Sequence, residues 1–138
     1  YKMEWMDALE QHARALLKQD EAFVLCGDYN CIPTPEDCWD ETVWQDDALA
    51  LPQTRAEFRK LKYLGLADAF ELTDNRAHQY TFWDYQGGAF KKDHGIRIDH
   101  LLCSPQACDR LQSVEIYRKA RELEKPSDHV PVIGTFED

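Results

Sequence analysis

Ala22-Phe23-Val24-Leu25-Cys26-Gly27-Asp28-Tyr29-Asn30 is the stretch on which the fold turns. The apolar run from Ala22 to Cys26, stopped by Gly27, reads as a buried strand whose carboxyl end hands Asp28 and Asn30 to a loop. Upstream, Met6, Leu9, Ala13, Leu16 and Leu17 fall at i, i+3, i+7, i+10 and i+11. That is the apolar stripe of an amphipathic helix ending near Gln19. Downstream, residues 55–64 form a second helix with Phe58 and Leu61 inward and Gly65 as its C-cap.

Further out, residues 66–72 read as a connector or short strand and 80–85 as an aromatic strand. Residues 86–95 form a loop carrying Gly87, Gly88 and Gly95, and 96–103 another strand. Ser104 is placed to cap a short helix that has Pro105 in its first turn and runs to Leu111. The final strands are 114–117 and 130–136, the turn 126–129 lying before the last. Mixed helices and strands make the class α/β or α+β.

Composition narrows the options. A chain of 138 residues fits one domain, and 43% hydrophobic residues with 12% aromatics can build a core, which excludes a disordered chain. No apolar run approaches the roughly 18 residues of a membrane helix, so no membrane role is expected. Five cysteines, an odd number without a C-x-x-C pair, point to free thiols and a cytoplasmic setting. Tyr1 opens directly on a helical pattern without an initiator Met, so further sequence is expected ahead of it. The net charge of −10 opposes a polyanionic partner at long range. Any nucleic-acid role must therefore use a local basic patch or a divalent metal.

Polar residues gather where predicted strands end, the usual place for functional groups on a rigid scaffold. Asp28 and Asn30 lie two apart, so in extended backbone they share a side and suit a hard cation; the alternative is an Asx-type turn. Asp99 interrupts an apolar strand and needs a partner, either His129 or the neighbouring Arg97. His100, on the opposite face, is read as structural. In Ser127-Asp128-His129 the carboxylate can serve a metal and the imidazole an oxyanion or a water. Aromatics from Tyr80 to Tyr85 beside Lys91 and Lys92 suit stacking on bases with lysines on phosphate; core packing claims at least half of the rings. Cys31 reads as a packing residue, and no Walker loop, G-x-G-x-x-G or G-x-S-x-G is present.

In this order, Gly27-Asp28-Tyr29-Asn30, Tyr80-Thr81-Phe82-Trp83, Arg97-Ile98-Asp99 and Ser127-Asp128-His129 resemble the exonuclease III branch of the AP endonuclease family, within the endonuclease/exonuclease/phosphatase superfamily. Pro33-Thr34-Pro35-Glu36-Asp37 and Lys125-Pro126 extend the resemblance along the chain. It implies a DNase I-like four-layer sandwich, of which these 138 residues would be the carboxyl-terminal half, built as one mixed sheet with flanking helices. The other half would supply a second sheet, a metal-binding Glu and a catalytic Tyr. The uncovered sheet face would then favour self-association.

The resemblance also implies an activity: a metal-dependent 3′-5′ exonuclease and AP endonuclease of DNA repair, acting on double-stranded DNA at abasic sites or 3′ ends. By the same resemblance Asp28 activates water, Asn30 orients it, and Asp99 holds His129 against the scissile phosphate. Asp28, Asn30 and Asp128 would bind Mg²⁺ or Mn²⁺. Phe82, with Ile96 and Ile98, would line the sugar pocket, Trp83 would bind substrate beside them, and the loop from Gln86 to Lys92 would enter a DNA groove. A phosphatase or phosphodiesterase acting on a non-DNA phosphoester, and a non-catalytic binding module, are the alternatives.

Overall fold

The computed structural model describes residues 1–74 and 76–138. Its elements run α1 (Lys2–Leu17), β1 (Val24–Asp28), α2 (Glu41–Trp44), α3 (Pro52–Tyr63), β2 (Ala67–Asp68), α4 (Ala69–Thr73), β3 (Asp99–Cys103), α5 (Pro105–Cys108), β4 (Leu111–Ile116) and β5 (Val132–Phe136). Short 3₁₀ turns occur at Pro35–Asp37 and Arg118–Glu122. Helices packed on strands give the expected α/β class.

The strands form two antiparallel sheets rather than the single mixed sheet expected. One has the order β1-β3-β2, and the other pairs β4 with β5. The break has a local cause. Ser104 ends β3 by capping α5, its hydroxyl accepting from the Ala107 N–H at 3.2 Å while it donates to the Glu21 carbonyl. The chain thus leaves the plane of β3 before β4 begins. The two sheets touch where Gly134 faces Leu101, and a side chain there would come within 3.0 Å of the leucine.

α1 and α3 cover one face of the three-stranded sheet. Met6, Ala13, Phe58, Leu61 and Leu102 make that core. On the other face Ala69, Cys103 and Ala107 pack with Val24, Leu101 and Phe136. β1 is an edge strand, and its apolar run is less buried than its sequence suggests: Val24 and Leu25 are half-buried and Cys26 is exposed.

The aromatic stretch 80–85 is not a strand. The Thr81 and Phe82 N–H groups both donate to the Ile96 carbonyl, at 2.9 and 3.0 Å, which stops a regular ladder, and only isolated bridges join Phe82 to Ile96 and to His129. For a similar reason β3 begins at Asp99 instead of residue 96. The Arg97 N–H donates to the Asp37 carbonyl at 2.8 Å and not to a neighbouring strand.

Candidate functional site

Antiparallel register sets Asp28, the last residue of β1, opposite Asp99, the first of β3. Strand alternation puts both carboxylates on one face. The segment after Pro126 supplies the third member. His129 bridges Phe82, the Val130 N–H donates to the Thr81 carbonyl at 2.9 Å, and the Trp83 N–H donates to the Asp128 carbonyl at 3.0 Å. Donor atoms of Asp28, Asp99 and His129 consequently lie within 4.8 Å of one another, close enough for one metal ion.

His129 Nδ1 lies 2.8 Å from Asp99 Oδ2, which assigns it the proton, and Nε2 faces Asp28 Oδ2 at 3.8 Å. Burial opposes the imidazolium. The hydrogen bond and charge of Asp99, helped by Asp28 and Asp128, outweigh it, and the His129 pKa stands above the ordinary value. Burial raises the Asp99 carboxyl, with the hydrogen bonds from His129 and Thr81 pulling the other way. Of the two partners open to Asp99, His129 takes it. Arg97 pairs with Asp37 at 2.7 Å and Asp68 at 3.0 Å.

Asp28 shares out its two oxygens. Oδ1 accepts the Asn30 N–H at 2.8 Å, an Asx turn, and Oδ2 is the atom turned to His129. Asn30 adopts φ +48°, a left-handed conformation that asparagine tolerates, so the extended-backbone reading of residues 28–30 fails beyond Asp28. Asn30 nevertheless lines, with Asp28, Lys2, Trp5 and Leu49, a cavity of about 450 Å³. Asp128 is not in the three-member group. Its carboxylate lies beside the Ser127 hydroxyl at 3.5 Å.

Phe82 is half-buried and packs edge-on against the His129 ring, with centroids 5.2 Å apart. Trp83, Ile96 and Ile98, expected to line a substrate surface, are buried at 1%, 1% and 3% exposure. They back the site and present no open face. Gly95 explains part of this, because any side chain there would strike Trp83 and Tyr80 at 2.7 Å, and the tight approach draws the indole inward. Gln86, Lys91 and Lys92 lie exposed on their loop.

Two contributors escaped the sequence reading. The fully buried Thr81 hydroxyl accepts from the Ile98 and Asp99 N–H groups at 3.1 and 3.3 Å, fixing the start of β3. Its one signal was being the non-aromatic member between Tyr80 and Phe82. Lys2 Nζ donates to the Asn30 carbonyl at 2.6 Å across 28 residues, which no local pattern announces. His100 is sealed in, bonded to the Cys31 carbonyl and to Arg97. Burial, then Arg97, lowers its pKa to about 4. All five cysteines are free, and burial pushes the Cys31 thiol up to about 11.

Comparison with known proteins adds the context. The model of the Endonuclease/Exonuclease/phosphatase family matches residues 1–129. Exodeoxyribonuclease III of Haemophilus influenzae is 37% identical over 87 residues, covering 62% of this chain and 33% of that protein. A 3′ phosphatase from Neisseria, solved with a product DNA hairpin, superposes with TM-score 0.96 at 35% identity over 99% of this chain and 53% of its own. An AP endonuclease from Archaeoglobus fulgidus gives TM-score 0.94 at 29% identity, over all of this chain and 54% of its own. The chain thus spans a third to about half the length of these relatives.

Proposed function

The chain belongs to the endonuclease/exonuclease/phosphatase family and carries its DNase I-like fold, and on that footing we propose that it is the carboxyl-terminal half of a metal-dependent DNA phosphodiesterase of DNA repair. In this reading the whole protein acts on duplex DNA as a 3′-5′ exonuclease and AP endonuclease. The observation that carries the proposal is the meeting of Asp28, Asp99 and His129 at the ends of two strands and a turn.

The donor set fits a hard divalent cation, Mg²⁺ or Mn²⁺, because carboxylate oxygens suit such ions. Asp28 would hold it, with Asn30 and Asp128 as further oxygen donors, and the bound ion would neutralise phosphate charge. The residues supply the rest. Asp28 accepts the proton of the attacking water, and Asn30 orients that water. Asp99 fixes the orientation of the His129 ring so that Nε2 faces the phosphate, and the charge of the protonated ring stabilises the developing oxyanion as the P–O3′ bond breaks and a 3′-hydroxyl leaves. Phe82 gives a base-less sugar an apolar wall.

The Neisseria relative, described as a 3′ phosphatase, favours a second substrate for the same site, a phosphomonoester at a 3′ end. The test is cleavage by the full-length protein, with Mg²⁺ and with EDTA, of a duplex carrying an abasic site and of one ending in a 3′ phosphate. Metal-dependent scission or phosphate release supports the reading; a phosphoinositide as the sole substrate refutes it. The odd number of cysteines, without a C-x-x-C pair, supports a cytoplasmic location. Half-buried Val24 and Leu101 beside exposed Cys26 support self-association of the isolated chain through this face, which a monomer by light scattering at high concentration would rule out.

A further inference from the structure

Charge is unevenly laid out on this acidic chain. Residues 84–93 and 117–125 hold six Lys or Arg against four Asp or Glu, whereas the remainder holds ten against twenty-two. The two segments are fastened into one ridge around Phe90. Arg118 lies over its ring at 4.7 Å and Arg121 at 5.4 Å; Arg118 also covers Trp83 and Arg121 covers Tyr85. Arg118 pairs with Asp93 at 3.2 Å, and Arg121 donates to the Trp83 and Asp84 carbonyls.

The ridge is also tied to the site. The Tyr85 hydroxyl donates to the Pro126 carbonyl at 3.0 Å, three residues ahead of His129, and the Trp83 N–H reaches Asp128. The cations divide their tasks. The arginines are spent on rings and carbonyls, while Lys91, Lys92, Lys119 and Lys125 are exposed and, among the described residues, their ammonium groups make no ion pair or hydrogen bond. On α3, by contrast, Lys60 and Lys62 are paired with Glu57 and Glu71.

We propose that Lys119 and Lys125, on the segment around the 3₁₀ turn Arg118–Glu122, join Lys91 and Lys92 as a phosphate-gripping ridge for the backbone of duplex DNA held at the Asp28–Asp99–His129 site. The inference rests on the nuclease reading. Unpaired lysines on a rigid support meet phosphates without first breaking an ion pair, and each contact releases condensed counterions. The arginines stacked on Phe90 keep the two lysine pairs in fixed relation, so the ridge guides the duplex across an otherwise repulsive surface.

The test measures binding of the full-length protein to a duplex bearing a tetrahydrofuran abasic-site analogue, in EDTA, over a range of KCl. A Lys119→Ala/Lys125→Ala variant should bind roughly tenfold or more weakly at low salt, and its log K against log salt slope should fall by about 1.8. Single-turnover cleavage at saturating DNA should stay within about twofold of the parent, and a Lys60→Ala/Lys62→Ala variant should leave the slope unchanged. An unchanged slope in the Lys119/Lys125 variant, while the parent binds and cleaves, overturns the ridge and spares the nuclease reading. The same holds if that variant loses only its retention on anionic phospholipid vesicles. A parent that neither binds nor cleaves DNA overturns both.

Discussion

The molecule contains two clusters built from the same parts, each with two aspartates and a histidine, and they are put to opposite uses. Around Arg97 three of the parts are sealed, Arg97 at 2% exposure, Asp68 at 1% and His100 at 1%, with Asp37 half-buried beside them; the guanidinium hydrogen-bonds Asp37 and His100 and forms an ion pair with Asp68. Around His129, among the described residues, no Lys or Arg is paired with either carboxylate, Lys2 near Asp28 being tied to the Asn30 carbonyl; Asp28 and His129 are open to solvent, Asp99 is half-buried, and the two carboxylates converge on an imidazole. Where the chain provides its own positive charge it makes structure. Where it withholds that charge, the proposed function puts a metal and a phosphate.

Breaking the open cluster should cost chemistry and spare the fold. Asp28→Asn or His129→Ala in the full-length protein is expected to lower abasic-site cleavage by about 10²–10⁴-fold or more, with a thermal midpoint within a few degrees of the parent. Turnover like the parent's in either variant would defeat the assigned roles. Breaking the sealed cluster should do the reverse. Arg97→Ala strands the buried Asp68 carboxylate and the half-buried Asp37 and is expected to cost about 3–5 kcal/mol in urea unfolding, with activity falling only as the fold does. A loss below about 1 kcal/mol would show that the network is not what holds loop 34–37 against β2.

Acid separates the clusters further. His100 takes no proton in the folded chain until about pH 4, while the unfolded chain takes one near 6.5. The unfolded state therefore binds the extra proton first. Stability should fall as pH drops from about 6.5 to 4, by on the order of 3 kcal/mol from this group, and then level off with respect to it. A His100→Gln variant should lack that part of the pH dependence in chemical denaturation; an identical slope would discount the buried imidazole. The smallest effect is expected at the border of the open cluster. Phe82→Ala removes the edge-on contact with His129, worth about 0.5–1.5 kcal/mol, and should reduce kcat/KM on abasic duplex about three- to tenfold.

Legibility in the sequence follows the same division. Asp28 and His129 stand out as polar residues bordering apolar runs and Asp99 as a carboxylate inside one, and antiparallel register sets Asp28 opposite Asp99. The Ser104 cap and both long helices were readable because caps and stripes are local signals. The partition into two sheets was not, since it depends on where α5 steers the chain after β3. Nor was the burial of Trp83, Ile96 and Ile98: strand alternation was assumed for residues 80–85, and the doubled bond to the Ile96 carbonyl removes it. The sequence leaves Arg97, near in the chain, as one of two candidate partners of Asp99. The actual partners of Arg97 lie 60 and 29 residues away, one of them set by the capping turn at Thr34–Asp37 and the other by the cap of α4.

The central claim is that Asp28 and His129 meet in one pocket that takes a divalent cation. Paramagnetic broadening by Mn²⁺ tests it most directly, through the imidazole proton signals of the full-length protein. Substoichiometric Mn²⁺ should broaden the His129 resonances while leaving those of His12 and His78 sharp, and Asp28→Asn should abolish the effect. Uniform broadening of every histidine, or broadening at His129 that survives Asp28→Asn, would contradict the account.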